Sequence, residues 1–329
     1  MGSFVAPPPP AGLRPGGVPT FAVAIAAYQA AATIGAAVES ARAQTLRPAE
    51  ILVCDDGSTD GLAAALAPHR DAVRLVRQEH RGVAAARNAL VRAATADFVA
   101  MLDADDVLAP ARLERLAALA AARPDLDILA TDALLVSGGR AAGRFSEVTP
   151  FAAERQREAI LERCFLVNPA LRRTALLAAG GYDETLATAE DWDCYLRLIL
   201  AGSAAGLVDE PLFEYRLRGA SLTAARGETL LDRVRVLEKA AAGGAALSPR
   251  ERRTLAASLR RHRGRALQQL AREAAAARDP SMRSRLLAVA RSADVAPRAR
   301  ARAALAALAP AAAAARLAGA LAESTGRPP

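Results

Sequence analysis

The sequence predicts an α/β protein: a mostly parallel sheet flanked by helices, followed by an all-α C-terminal extension. Three features of the chain predict this. Apolar runs of strand length alternate with helical periodicity over residues 21–136, the pattern of strands joined by helical crossovers. The run Phe98-Val99-Ala100-Met101-Leu102 is unbroken and then meets Asp103, Asp105 and Asp106. That pattern fits a strand buried on both faces whose carboxyl end opens on a ligand crevice. Beyond Arg218 the pattern turns almost wholly helical, and Phe, Trp and Tyr disappear.

Residues 21–28 form the first buried strand in this prediction, and Thr33 caps a helix that runs to about Gln44. Residues 50–56 form the second strand. It breaks at Gly57, and Ser58, Thr59 or Asp60 can cap a short helix to about Ala67. Residues 73–76 give a short third strand. Gly82 opens a helix to about Ala94, with Val83, Ala86, Leu90 and Val91 on one side. After the Phe98 strand, Pro110 suits the first position of a helix. Residues 127–136 read as a further strand. Over 137–165 the pattern weakens, and Gly138-Gly139 and Gly143 suggest a hairpin or a loop. Residues 192–200 are amphipathic, with Trp192, Tyr195, Leu196 and Ile199 at core-facing spacing. Residues 211–217 close the sheet. The expected domains are a disordered Pro/Gly-rich leader over 1–19, an α/β domain over 20–223 and an Arg/Ala-rich helical region over 224–329.

Of the 329 residues 52% are hydrophobic, enough for a sizeable core. The net charge of +8 is unevenly placed. From Arg226 onward 21 basic and 8 acidic residues give +13, which leaves −5 for the rest. A basic tail on a mildly acidic body suggests a polyanionic partner or an anionic membrane surface, or else only solvated Arg-rich helix faces. Cys54, Cys164 and Cys194 show neither metal-ligand nor disulfide-framework spacing, which suits a reducing compartment. The N-terminus lacks the pattern of a signal peptide, and Ala6 stands where a myristoylation signal needs Ser or Thr. The apolar stretch 303–315 is too short to span a bilayer. The expected location is the cytoplasm, with peripheral contact at the inner face of the membrane open to the basic region.

Asp55-Asp56-Gly57-Ser58 and Asp103-Ala104-Asp105-Asp106 end two strands of one sheet. Crowded carboxylates stay ionised cheaply only among water or around a cation. Oxygen ligands alone favour Mg²⁺ or Mn²⁺. The other carboxylate pair can accept hydrogen bonds from a base or a ribose. Neither G-x-G-x-x-G after a strand nor a P-loop is present. A fold binding a diphosphate without such a loop needs a metal instead.

At this point the sequence resembles a family. Ala24-Ile25-Ala26-Ala27-Tyr28, Val53-Cys54-Asp55-Asp56-Gly57-Ser58-Thr59-Asp60, Gly82 with Ala86-Arg87-Asn88, and Leu102-Asp103-Ala104-Asp105-Asp106 look like the consecutive motifs of family 2 glycosyltransferases. The resemblance continues through Arg172-Arg173, Gly180-Gly181-Tyr182-Asp183-Glu184, Glu190-Asp191-Trp192-Asp193 and Tyr215-Arg216, and covers about residues 21–223. It implies the GT-A fold, a Rossmann-like mixed sheet. It also implies inverting transfer of a sugar from a nucleotide-diphosphate sugar to an acceptor hydroxyl, in cell-envelope or surface polysaccharide synthesis. Asp56 matches the residue that binds the base, usually uracil. Asp55 stands beside it, and Ala26 to Tyr28 floor the nucleotide pocket. Arg87 matches a basic residue near the diphosphate. Asp103 and Asp105 match the metal-binding D-x-D pair, with Asp105 the better direct ligand for Mn²⁺ or Mg²⁺. Asp191 matches the general base, although Thr188 and Asp191 also have the spacing of a capping box. A His common in the family two residues after Arg216 is replaced by Arg218, which cannot ligate a cation but can pair with phosphate. His80 reads as a surface residue and Trp192 as core.

The expected partners are a nucleotide sugar and a saccharide or lipid-linked acceptor, with no nucleic acid, since stacking platforms are absent after Arg226. The alternatives are a non-catalytic polyanion- or membrane-binding protein and a sugar-phosphate nucleotidyltransferase. The latter usually has a basic Gly-rich loop after the first strand, where this chain has Ala26-Ala27-Tyr28-Gln29.

Overall fold

The computed structural model describes residues 17–217, 227–277 and 279–308. The chain divides into two units: Met1–Ile160 with Cys164–Thr185 and Glu190–Arg218, and Leu161–Arg163 with Leu186–Ala189 and Gly219–Pro329.

In the α/β unit the strands are β1 (Phe21–Ala27), β2 (Glu50–Asp55), β3 (Arg74–Arg77), β4 (Phe98–Asp103), β5 (Val107–Leu108), β6 (Leu126–Ser137), β7 (Arg140–Arg144), β8 (Ala170–Arg172) and β9 (Ala204–Leu217). The helices that matter for the site are α1 (Ile34–Arg42), α2 (Leu62–Leu66), α3 (Val83–Ala93), α4 (Arg112–Ala122), α5 (Phe145–Val148), α6 (Gln156–Glu162), α7 (Arg173–Ala178) and α8 (Glu190–Leu200). The strands form one sheet in the order β3-β2-β1-β4-β8-β6-β9-β5, with β7 paired to β6. The half from β3 to β4 is parallel. The short β8 runs antiparallel to both β4 and β6, so it joins the parallel half to the parallel pair β6–β9. This is the mixed, mostly parallel α/β sheet that the sequence predicts.

Burial follows the apolar runs. Val23, Ile25, Val53, Phe98, Ala100 and Leu102 lie in one core with Ile34, Val38, Leu113 and Leu116 of the covering helices. Phe21 and Phe98 stack across the β1–β4 pair with ring centroids 5.5 Å apart, a contact worth about 1 kcal/mol beyond its area. The indole of Trp192 is buried and donates to the Ile160 carbonyl at 2.8 Å, a core position as predicted. Arg172 is also buried. It donates to the Asp127 carboxylate at 2.7 Å and to the carbonyls of Pro124 and Leu126, and lies over the Phe98 ring. This family-motif arginine therefore holds β8 against the start of β6.

Several local expectations are corrected. Thr33 stands at the N-cap of α1, but its side chain caps no helix N–H and instead donates to the Ala30 carbonyl. Pro110 is not the first helical residue; Ala111 is the N-cap of α4. The last strand starts at Ala204, seven residues before the predicted run. Its first half carries few large apolar residues and is held by backbone pairing to β6, with a register shift opposite Pro211, a residue that lacks an N–H.

The helical unit contains α9 (Gly227–Ala242), α10 (Pro249–Ala276), α11 (Met282–Arg291) and α12 (Pro297–Leu308). α10 starts at a capping box: Glu251 N donates to Ser248 Oγ and Ser248 N donates to Glu251 Oε2, with Pro249 in the first turn. A core without aromatic residues is built from Ala271, Ala274, Ala275, Leu286, Val289, Ala299, Ala303 and Ala306. No described helix is long and apolar enough to cross a membrane.

Two predictions follow from packing and charge in these units. Gly181 has φ +72°, and a Cβ there would collide with Asn88 Oδ1. That oxygen accepts from Tyr182 N, while Asn88 Nδ2 donates to the Tyr182 carbonyl. Gly181→Ala should cost about 2 kcal/mol through backbone strain and loss of this clamp, read as a lower denaturant midpoint. In the helical unit His262 is buried, and desolvation together with Arg233, Arg261 and Arg265 lowers its pKa to about 4. An unfolded chain would protonate it near 6.5, so the unfolded state binds more protons as pH falls. The contribution from His262 is fully present above pH 6.5 and is lost as pH drops toward 4, by about 3 kcal/mol at most. His262→Gln should flatten that acid limb in unfolding curves recorded at pH 7, 6 and 5.

Candidate active site

Three parallel strands bring the two acidic motifs to one edge. At the carboxyl end of β1, Ala26 is in register with Cys54 of β2 and with Asp103 of β4, and Ala27 is in register with Asp55. Asp55 and Asp103 thus flank the end of β1 from opposite sides. Ala26 is half-buried between them, and Tyr28 follows at the exposed rim.

Asp55 and Asp56 are both buried and both engaged. Asp55 accepts from Ser58 N at 2.8 Å and pairs with Arg77 at 3.3 Å. Asp56 organises the loop ahead of α3. Its Oδ1 accepts from Gln78 Nε2 at 2.7 Å and Arg81 N at 2.9 Å, and its Oδ2 accepts from Gly82 N at 2.8 Å. His80 Nδ1 also lies 2.9 Å from Asp56 Oδ2. The loop after β1 is fixed to the same edge. Gln29, at φ +49°, accepts through Oε1 from Thr59 N and Asp60 N.

The second cluster is tied together by Arg87, which is 7% exposed on α3. Its Nη2 donates to Asp103 Oδ1 at 2.9 Å, and its Nη1 donates to Glu190 Oε1 at 2.6 Å. Desolvation works against the buried guanidinium, but Glu190 and Asp103 outweigh it and hold it cationic. Burial raises the Glu190 carboxyl; Arg87 offsets part of the rise, and Asp191 adds to it. Arg87 therefore connects the Asp103 turn with the pair Glu190-Asp191 that opens α8.

Asp191 is partly exposed, and its Oδ1 accepts from Trp192 N at 2.6 Å. α8 begins at Glu190, so Thr188 lies ahead of the N-cap instead of forming the capping box with Asp191, and its N–H and hydroxyl donate to Asp232. Ala189, just before this pair, has φ +59°. A left-handed alanine is uncommon, and such strain concentrates at functional turns.

Asp103 Oδ2 accepts from Asn168 Nδ2 at 3.2 Å, so both of its oxygens have protein donors. Asp106 is buried, its Oδ1 accepting from Arg216 N at 2.8 Å. Burial and then the negative charge of Asp103 push Asp106 up to about 8, with Asp105 adding and Arg112 opposing. Arg112 itself is fully buried over the Phe213 ring and donates to the Asn168 carbonyl.

This donor set fits a hard divalent cation. Among the described residues no group of three or more His, Cys, Asp or Glu side chains converges on one point, so these residues alone offer no complete cage. Asp103 and Asp105 nevertheless supply carboxylate oxygens in a turn where burial, and then their negative charge, already raises Asp106. Mg²⁺ typically binds through one or two carboxylates with substrate phosphates completing its shell. Asp103 is held by Arg87 and Asn168, while Asp105 is partly exposed.

Of the predicted site residues, Ala26, Tyr28, Asp55, Asp56, Asp103 and Asp105 lie at or beside one sheet edge, and Arg87 links Asp103 to the Glu190-Asp191 pair. Arg218 lies outside the described residues. Sequence reasoning missed Asn168, Arg112 and the structural part played by Asp106. Asn168 and Arg112 sit in no recognisable motif, and only the fold brings them to the turn.

The sequence profile described as Glycosyl transferase family 2 matches residues 22–174. The chain is 30% identical over 259 residues to the succinoglycan biosynthesis protein ExoU of Rhizobium meliloti, which covers 73% of each chain. It is also 30% identical over 191 residues to an Escherichia coli chondroitin synthase, covering 56% of this chain but only 27% of that protein. Among solved structures, S. aureus TarS in complex with UDP-GlcNAc aligns over 93% of this chain and 91% of its own, with TM-score 0.64 and 18% identity. The mannosyltransferase PcManGT of Pyrobaculum calidifontis, in complex with GDP-Man and Mn²⁺, aligns over 94% and 87% with TM-score 0.59 and 23% identity. These structures share the GT-A fold with this chain. The match to ExoU in length and identity, together with the profile, shows that the chain belongs to the family 2 glycosyltransferases.

Proposed function

We propose that this glycosyltransferase moves a sugar from a UDP-sugar to an acceptor hydroxyl with inversion, in the synthesis of a surface or cell-envelope polysaccharide. The observation that carries this is the register at the end of β1, where Ala27 lies beside Asp55 on one side and Ala26 beside Asp103 on the other. The Arg87 bridge from Asp103 to Glu190 extends the same site toward Asp191. The polysaccharide assignment is supported by relatives named for succinoglycan and chondroitin synthesis. The choice of uridine is supported by the neighbour holding UDP-GlcNAc, although another holds GDP-Man.

In this proposal Asp55, Asp56, Ala26 and Tyr28 surround the nucleoside. Asp105, with Asp103 beside it, holds Mn²⁺ or Mg²⁺ at the diphosphate. That cation, when bound, offsets the charge gathering on the departing nucleoside diphosphate. Arg87 keeps the Asp103 carboxylate oriented instead of contacting the diphosphate itself, because two carboxylates engage its guanidinium. Arg218 is assigned to the diphosphate from sequence alone.

Inverting transfer is one in-line displacement. The acceptor oxygen attacks the anomeric carbon, a new C–O bond forms, and the bond from that carbon to the phosphate oxygen breaks. The acceptor proton must leave as attack proceeds, and the Asp191 carboxylate accepts it. Asp191 is the second residue of α8, and its hydrogen bond from Trp192 N holds the carboxylate there. Residues 20–223 form the transferase domain in this proposal. The basic helical region 224–329 makes peripheral contact with an anionic membrane that presents a lipid-linked or saccharide acceptor.

Asp191→Asn should lower turnover about 100- to 10,000-fold, the usual range for a missing general base. UDP affinity measured by calorimetry should stay within about twofold of wild type, since the variant leaves the nucleotide contacts in place. Unchanged turnover would reject the assignment. Asp105→Ala should abolish the gain in UDP affinity that Mn²⁺ gives the wild-type protein; equal Mn²⁺ enhancement in both would count against Asp105 as the ligand.

A further inference from the structure

His80 looks like a surface residue in the sequence, yet its surroundings are unusual. Its imidazole lies face to face with the Tyr28 ring, with centroids 4.0 Å apart and planes inclined by 22°. Both rings are about half exposed, at 46% for Tyr28 and 54% for the His80 side chain. The His80 Nδ1 sits 2.9 Å from Asp56 Oδ2 and 3.2 Å from the Asp56 carbonyl. A planar ring thus rests on an aromatic face and directs a ring nitrogen at a buried carboxylate. A pyrimidine base placed at this edge would use the same two interactions: its face on Tyr28 and its ring N–H on Asp56.

A count of hydrogen bonds sharpens the point. A carboxylate has about four acceptor positions. At Asp56 four nitrogens approach these positions: Gln78 Nε2, Arg81 N and Gly82 N donate to the carboxylate, and His80 Nδ1 lies 2.9 Å from Oδ2 while bonding the Asp56 carbonyl. Two of the four are backbone donors that define the loop. A third, Gln78, follows directly after β3. The fourth belongs to an exposed side chain that can rotate away without moving the loop. The His80 backbone is itself seated against Gly57, where an added Cβ would lie 2.8 Å from His80 N. Of the four, Gln78 and His80 reach Asp56 through side chains that can leave without moving the backbone, and His80 is the more exposed of the two.

We propose that the His80 side chain occupies the base seat between Tyr28 and Asp56, and that the uracil ring must displace it to bind. This rests on the proposed nucleotide site and adds a competing internal occupant to it. The side chain then acts as a positioning and selectivity element. It keeps the Asp56 carboxylate partnered when no nucleotide is present, and only a ring that restores both the stack and the N–H contact replaces it without loss.

The test is UDP binding by calorimetry to the full chain and to H80A, H80F and D56A. Apparent affinity falls with the fraction of molecules whose seat is open, so H80A should bind UDP on the order of tenfold more tightly than wild type. H80F keeps a ring on Tyr28 but has no N–H for Asp56, and should fall between the two. In proton spectra the His80 ring signal, one of three histidines, should start shifted by the Tyr28 ring current and move to a solvent value as UDP saturates the protein. Equal or weaker UDP binding by H80A, or an unmoved His80 signal, overturns the proposal. D56A separates the two levels. If D56A loses UDP while H80A gains nothing, the nucleotide site stands and the His80 occupant is rejected. If D56A and H80A both bind as wild type, the base does not sit at Asp56 and both are rejected.

Discussion

The guanidinium of Arg87 is the interaction on which the site depends. A buried cation without partners is strongly unfavourable, whereas one held by two carboxylates at hydrogen-bond distance is tolerated. Arg87 meets this condition with Asp103 at 2.9 Å and Glu190 at 2.6 Å. Neither carboxylate has the same surroundings alone: Glu190 is buried, and Asp103 shares its turn with Asp105 and Asp106. Each of the three groups is made admissible by the others. The result is a rigid connection between the end of β4 and the start of α8, elements 87 residues apart in the chain. In the proposed site, the arginine of the Ala-Arg-Asn motif supports the acidic turn through these two contacts.

The same logic recurs at the other end of the edge. Asp55 and Asp56 are almost inaccessible, and their oxygens are satisfied by backbone N–H groups and by Gln78, Arg77 and His80. Buried carboxylates need such donors. The donors to Asp56 come from the loop between β3 and α3, so that loop is fixed by the group it surrounds. Preorganisation of this kind lowers the reorganisation required when a polar ligand arrives. Asp105 and Asp191, the two carboxylates assigned to direct contact with the reacting groups, are by contrast partly exposed. Buried acids shape the edge, and more accessible ones face outward from it.

The helical unit is organised by different means. Its core is dominated by alanine, with Leu286, Val289 and Met282 as the larger members. Small side chains bury little area each, so such helices depend on close approach, on good caps such as Ser248 and Glu251, and on high intrinsic helix propensity. Arginine supplies the solvated faces. Burial and then the charges of Arg233, Arg261 and Arg265 lower the pKa of His262, and burial with Arg261 and Arg233 lowers that of Arg265; a histidine held neutral in this way destabilises the unit once acid protonates it.

The primary structure by itself determined the α/β class, the places of β1, β2, β4 and β6, and the two acidic motifs, because unbroken apolar runs and carboxylate clusters are local patterns. It also carried the family motifs in their order, which is why the family was legible before any coordinates. Tertiary structure alone decided which of those residues touch. The antiparallel insertion of β8 between β4 and β6 has only three residues and no periodicity to reveal it. Asn168, at φ +39°, and Arg112 lie in unremarkable sequence, and only chain folding carries them to Asp103 and Asp106. The stack of Tyr28 on His80 joins residues 52 positions apart. Local sequence fixes what a residue can donate, accept or bury; which partner satisfies it is a property of the closed fold, since contacts across a sheet edge depend on register and not on spacing along the chain.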